Sequence, residues 1–256
     1  MKQIDLKGIK KEEVKYLGVE QSEPEINSKL EGYEGMRVKW LYPYKNTYWD
    51  WIEASAHACL TTWEMYPYES INAIGQDKKE ELVLNILRDR PISVALEMPK
   101  FAFKVTGLSR AISHQLVRHR KMAFGQQSIR VVDVTGAPTR KPQNISGELL
   151  DIYGRTVVAN KRVYKELVSA GVPREQARNI LPIGTTTSIV AVSDLRTLID
   201  YFKGRTSGIA QGEHNYLVYL IAKSFQESQP EFFKFVCTKV DGLEKLVSGE
   251  PKELIE

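Results

Sequence analysis

FAFKVTGLSRAISHQLVRHRKMAFGQQSIRVVDV, residues 101–134, changes its apolar period twice within one uninterrupted run. Phe101, Phe103 and Val105 stand two apart, the spacing of a half-buried strand. Leu108, Ile112 and Leu116 stand four apart, which draws an apolar helical stripe through LSRAISHQLVRHR, residues 108–120. QSIRVVDV alternates again and reads as a second strand.

Working outward, the pattern predicts helices near 48–63 and 76–90, the second carrying Leu82, Ile86 and Leu87 on one side. GAPTRKPQNISG, 136–147, reads as a surface loop. A long helix follows over about 148–170. Gly171 suits the residue just past its end, and Pro173 the first turn of PREQARNIL. TTTSIVAVS, 185–193, is β-branched and strand-like, Asp194 suits the cap of LRTLIDYFKG, and a last long helix runs over about 209–227. Strands and helices mix without regular βαβ alternation, so the expected class is α+β. No repeat, low-complexity tract or Pro/Gly/Ser-rich linker interrupts the chain, and residues 1–256 read as one domain.

Composition limits the function classes. Of 256 residues, 42% are hydrophobic and 27% charged, as in a soluble globular protein. No stretch approaches the roughly 18 apolar residues of a membrane span. MKQIDLKGIKKEEVK lacks the apolar core of a signal peptide, so a cytoplasmic location is expected, with no membrane partner. The net charge of +4 is too small to indicate a nucleic-acid protein, and aromatic residues are not interleaved with the cations. Cys59 and Cys237 lie far apart in apolar or β-branched surroundings and read as quiet thiols.

The chemistry concentrates in RHRKMAFGQQSIR, 118–130, where Arg118, His119, Arg120, Lys121 and Arg130 occur without a carboxylate. Cations near a helix C-terminus complement its dipole by about 0.3–1 kcal/mol. Two guanidinium groups about 6 Å apart repel by roughly 3 kcal/mol at an effective dielectric of 20. A solvated run therefore needs no ligand, whereas a partly buried one needs an anion, and the cations alone leave both open. Neighbouring donors favour the anion. On a strand Ser128 and Arg130 face one side, Gln115 projects from the helix, and Gly125 permits close backbone approach. Arg174 and Arg178 lie four apart, and Arg205 follows Gly204 at a helix end. His57, His114, His119 and His214 make no HxxxH or HExxH spacing, so no metal site is expected. His114 and His119 could titrate usefully, although a helical histidine is more often structural. There is no GxSxG elbow, Walker A loop or GxGxxG fingerprint, which favours chemistry carried by a cofactor.

RHRKMAFGQQS fits RHR-x7-S and resembles the signature of flavin-dependent thymidylate synthases. The likeness extends through LSRAISHQLVRHR, GVPREQARNILP and RTLIDYFKGRTSGIAQGE, where Arg205, Ala210, Gln211 and Glu213 keep the family's spacing. It spans roughly residues 90–235. The resemblance implies a mostly antiparallel central sheet flanked by helices, and reductive methylation of dUMP to dTMP. It implies FAD as cofactor, with methylenetetrahydrofolate as carbon donor and NADPH as reductant. It further implies a homotetramer whose active sites are shared between subunits.

By position, Gln115, Arg118, Ser128, Arg130, Arg178 and Arg205 would hold dUMP. Arg118, His119, Arg120, Gln126 and Gln211 would hold FAD, and Arg205 and Ser128 would serve catalysis. The chain departs from the family's usual residues at Met98, Ala123, Val131, Gly184, Ser188, Ser193 and Ile209, mainly on the flavin side. A relative making another one-carbon transfer to a pyrimidine nucleotide, such as hydroxymethylation, or a non-catalytic nucleotide-binding protein, are the alternatives those departures raise.

Overall fold

The computed structural model describes residues 30–41, 48–61, 65, 67–89, 93–206 and 212–249. Four strands form the central sheet: β2 (Arg37–Trp40), β3 (Lys100–Ser109), β4 (Ala123–Gln126) and β6 (Thr186–Asp194). Their spatial order is β2-β3-β6-β4, and every neighbouring pair is antiparallel. Two short strands, β1 (Leu30–Glu31) and β5 (Thr139–Arg140), pair in parallel beside it. With the helices around it, this is the expected α+β class.

The N-terminal helices are α1 (Tyr48–Thr61), α2 (Pro67–Asn72), α3 (Gln76–Asp89) and α4 (Ser93–Glu97). Next come α5 (Arg110–Leu116), α6 (Gly147–Ser169) and α7 (Arg174–Ala177). After β6 come α8 (Leu195–Arg205), α9 (Gly212–Ser228), α10 (Pro230–Cys237) and α11 (Leu243–Ser248). The main core joins Phe101, Phe103 and Val105 of β3 to Leu198 and Phe202 of α8, Leu217, Ile221 and Phe225 of α9, and Phe232 of α10. Aromatic packing is dense there: Trp40 stacks on Phe225 at 5.0 Å, and Phe101 meets Phe232 edge-on at 5.2 Å.

Three local readings are corrected. First, the stripe beginning at Leu108 is not all helix, because Leu108 and Ser109 pair with Thr187 and Thr186 as the end of β3. The Ser109 hydroxyl accepts from the Ile112 N–H at 3.1 Å, which starts α5 two residues later than Leu108. Second, QSIRVVDV is not a strand. The Ser128 hydroxyl accepts from the Arg130 N–H at 3.3 Å, and the Ser128 carbonyl accepts from Val131 and Val132. These local bonds compete with the ladder and turn the chain away after Gln127. Third, PREQARNIL gives one turn of α7 and then a 3₁₀ turn, Arg178–Ile180. Leu181 is held extended at ψ 137° ahead of Pro182, where a helix cannot continue.

The segment 136–147 is also less superficial than its composition suggests, since Thr139 and Arg140 are buried. Arg140 is 3% exposed. Its guanidinium donates to the carbonyls of Gly32 and Gly107 and lies beside the Glu31 carboxylate. Gly107 has φ +76°, and a Cβ there would lie 2.6 Å from the Gly35 carbonyl oxygen. Only glycine tolerates that backbone with so close a neighbour. It marks the irregularity in β3 between Thr106 and Leu108.

Candidate functional site

The exit of α5 and the C-terminal end of α8 bring Gln115, His119 and Arg205 together around two further residues, Tyr201 of α8 and His214 of α9. Arg205 Nε and Nη2 lie 3.3 and 3.2 Å from His119 Nε2. A guanidinium can only donate, so His119 Nε2 accepts and the imidazole carries its proton on Nδ1. Burial, reinforced by the Arg205 charge, holds the His119 pKa below its ordinary value. The His119 ring meets Tyr201 edge-on at 4.8 Å. The Tyr201 hydroxyl lies 3.2 Å from His214 Nε2, and His214 Nδ1 lies 3.2 Å from Gln115 Oε1. Tyr201 and His214 are wholly buried.

On the outer side, Arg118 and Arg120 are exposed, and their guanidinium groups have no hydrogen-bond or ion-pair partner among the described residues. Lys121 is 3.9 Å from Asp200. Gln126 turns inward, its Nε2 donating to Ser113 Oγ at 2.9 Å. Ile209, Ala210 and Gln211 lie outside the described residues.

A second group of cations gathers where the 127–135 turn meets α7. Ser128 and Arg130 are exposed, and the turn between them removes the shared strand face expected of them. Arg130 pairs with Glu175 at 3.1 Å. Arg174 donates to the Val131 carbonyl at 2.7 Å and lies 3.8 Å from Asp133. Arg178 donates to the Glu175 carbonyl at 3.2 Å.

Beside Arg178 lies a residue that sequence reading passes over. Arg110 is the first residue of α5, and its Nη1 is buried with no hydrogen-bond partner among the described residues. Burial first, and the Arg178 charge second, lower its pKa. Its position held the signal, because the positive end of a helix dipole disfavours a cation. A partly buried guanidinium so placed, with a second cation near enough to lower its pKa, is suited to an anion.

Glu213 directly precedes His214 on α9. It is 4% exposed, accepting from the Ser109 N–H at 2.8 Å and the Ser109 hydroxyl at 2.7 Å. Burial raises its pKa, while the Ser109 bonds and Arg140 oppose that rise. Cys59 and Cys237 are free thiols whose pKa values burial raises, which disfavours the nucleophilic thiolate. No group of three metal-ligating side chains occurs among the described residues, and no helix there is long and apolar enough to cross a membrane.

The departures have physical settings of their own. A Cβ on Gly184 would come 3.2 Å from both Thr139 Cγ2 and the Tyr153 hydroxyl, so the 136–147 segment and α6 leave little room for a side chain there. Ser193 is 2% exposed, and its hydroxyl donates to the Asp194 carbonyl. Met98 and Val131 are exposed, at 38% and 64%. Ala123 pairs with Val192 at the sheet edge, and Ser188 accepts from the Gln127 N–H.

Comparison with known proteins identifies the company this architecture keeps. The family described as "Thymidylate synthase complementing protein" matches residues 44–231. A flavin-dependent thymidylate synthase of Sulfurisphaera tokodaii is 31% identical over 164 residues, covering 63% of each chain. One of Geobacter sulfurreducens is 35% identical over 143 residues, covering 54% of this chain and 62% of the relative. The matches thus span just under two thirds of the length of these relatives. Among solved structures, a UMP/dUMP methylase, PolB of Streptomyces cacaoi with 5-Br dUMP, superposes with a TM-score of 0.63 at 19% identity. It covers 80% of this chain and 95% of that one. The flavin-dependent thymidylate synthase ThyX of Helicobacter pylori, complexed with FAD and dUMP, gives a TM-score of 0.59 at 16% identity, covering 80% and 100%. At these identities the structural likeness concerns the fold.

Proposed function

This chain belongs to the thymidylate synthase complementing protein family, that of the flavin-dependent thymidylate synthases, and from that premise we propose that it converts dUMP to dTMP by reductive methylation. Methylenetetrahydrofolate is the carbon donor, FAD the redox cofactor and NADPH the reductant. The observation that supports the nucleotide side is the partly buried Arg110 beside Arg178, two cations whose mutual repulsion an anionic phosphate would relieve. Ser128 and Arg130 hold the nucleotide from the 127–135 turn and Arg178 from the 3₁₀ turn after α7, while Gln115, Arg118 and Arg205 hold it from the hub. Arg205 and Ser128 also serve the reaction by fixing the substrate in place.

The residues present fit an anionic flavin cofactor: exposed Arg118 and Arg120 offer ten N–H donors between them on the outer side of the hub. With His119, Gln126 and Gln211 they complete the proposed grip. A bound flavin supplies the redox chemistry that neither thiol is placed to supply. His119 stays neutral and accepts from Arg205, keeping that guanidinium oriented. The assembly is a cytoplasmic homotetramer with sites shared between subunits, acting on no nucleic acid and no membrane.

Purified protein should be yellow and should release the C5 proton of dUMP in the presence of folate donor and reductant. Colourless protein that binds dUMP without turnover would instead mark a nucleotide-binding homologue. The departures from the family's usual residues at Met98, Gly184, Ser188 and Ser193 make another one-carbon product the second outcome to test. Mass analysis of the nucleotide distinguishes a methyl from a hydroxymethyl group. Arg130→Ala should weaken dUMP binding by roughly tenfold, the loss of one charge-assisted contact. Flavin content should be unchanged, and an equal loss of both ligands contradicts that assignment.

A further inference from the structure

Gln115 and Arg205 stand on different helices, and both are reached from a buried pair that the proposed reaction does not use. We propose that His214, held by Tyr201, is a positioning residue: it fixes the carboxamide of Gln115 on one side, while the Tyr201 ring seats His119 against Arg205 on the other. The inference rests on the nucleotide-holding roles proposed above for Gln115 and Arg205.

The protonation pattern follows from donors and acceptors alone. The Tyr201 hydroxyl is fully buried, so its O–H must find an acceptor inside the protein. His214 Nε2, 3.2 Å away, is the acceptor beside it. Burial raises the Tyr201 pKa, so the phenol keeps the proton that it donates. His214 is then neutral with its proton on Nδ1, and Nδ1–H donates to Gln115 Oε1 at 3.2 Å. The other tautomer would set the Nδ1 lone pair against the carbonyl oxygen and lose that bond. Burial, reinforced by the neighbouring Arg205 and His119, pushes the His214 pKa down to about 3, consistent with a neutral ring. One phenolic proton therefore orients a histidine and the histidine orients an amide, while the same phenol ring packs at 4.8 Å on His119.

Tyr201→Phe tests this, because it keeps the ring and its contact with His119 and removes only the O–H. In the ligand-free wild type, nitrogen-15 NMR of the side chains should find His214 neutral and protonated on Nδ1 near neutral pH. In Tyr201→Phe the Nε2–H form should gain population, because nothing then donates to Nε2 while Gln115 still favours Nδ1–H. A charged ring or a wild-type Nε2–H tautomer would overturn the proposal, whether or not any nucleotide binds. Titration with dUMP should show Tyr201→Phe weakening binding by about fivefold to tenfold, the worth of one hydrogen bond. Flavin content should not change. In a Gln115→Ala background the same substitution should cost nothing further, since it acts through Gln115. A loss that persists there would mean a merely structural role and would refute the inference. Wild type that fails to bind dUMP removes the functional reading separately, while the NMR result still decides the hub.

Discussion

Arg140 and Arg110 carry the same side chain into opposite circumstances. Arg140 is almost sealed from solvent, but its donors reach the carbonyls of Gly32 and Gly107 with Glu31 alongside. Arg110 has a buried donor without a hydrogen-bond partner among the described residues, and a second cation nearby. Removing an unfavourable charge should help folding and harm binding. Arg110→Met is expected to raise Tm by about 2–4 °C, the shift that roughly 1 kcal/mol gives a chain of this size, and to weaken dUMP binding at least tenfold. Calorimetry with and without nucleotide measures both. A fall in Tm would mean that the guanidinium stabilises the empty protein. His214 makes a second prediction. Its folded pKa of about 3 lies below the ordinary value near 6.5, so the unfolded chain binds more protons between those limits. Stability from this group is therefore present above pH 6.5 and is lost as pH falls toward 3, by up to about 1.4 kcal/mol per pH unit. Glu213, raised instead, has the opposite sign in its own window. Thermal melts across pH 4–7 should show a shallower acid loss in His214→Asn than in wild type.

Among the elements, what could be read from sequence was what local chemistry decides. The β-branched run at β6, the aspartate before α8 and the glycine after α6 all take the places that their local chemistry favours. Gly171 takes φ +86°, with Gly171 N–H bonding Val168 and Val172 N–H bonding Leu167, a complete Schellman end. Asp194 accepts from the Thr197 N–H at 2.8 Å. Burial alone would raise its pKa, yet the Thr197 and Lys100 contacts together bring it below the usual carboxylate value. Asp194→Ala should cost about 1 kcal/mol and lower Tm by about 2–4 °C. Spectroscopic helix content should change little. The turn at Ser128 could not be read, because alternation in QSIRVVDV suits a strand until a serine hydroxyl offers the backbone a nearer acceptor. Nor could Arg140, since its partners Glu31, Gly32 and Gly107 lie 109, 108 and 33 residues away and its neighbours Pro138, Lys141 and Pro142 have the composition of a loop. RHR-x7-S was plain in the sequence, but the hub behind it was not. Tyr201 and His214 are thirteen residues apart on separate helices, with nothing in the intervening sequence to join them.

At the scale of the molecule, two apolar clusters divide the labour. The large one underlies the sheet, while Ile129, Val134, Tyr164 and Ala177 form a small one that seats the 127–135 turn on α6 and α7. The proposed nucleotide-holding turn thus rests on its own footing. The outer face of α6 leaves Leu149, Ile152 and Val163 exposed at 64%, 45% and 41%, a helical stripe beside a groove of about 790 Å³ that Leu30, Asp151, Arg155 and Arg162 help line. An apolar stripe of this kind suits contact with another subunit. Pairing Leu149→Glu with Ile152→Glu should reduce the particle mass seen by light scattering, while each subunit remains folded by circular dichroism. Unchanged mass would move the proposed assembly to another face.

The Arg140 clamp also sets a timetable for synthesis. Gly32 leaves the ribosome 108 residues before the arginine that binds its carbonyl, so that contact must wait on the order of 5–20 s at ordinary elongation rates. Throughout that interval the first strand is a tenant without a room, and a chaperone that holds the nascent N-terminus would act before Arg140 emerges rather than after.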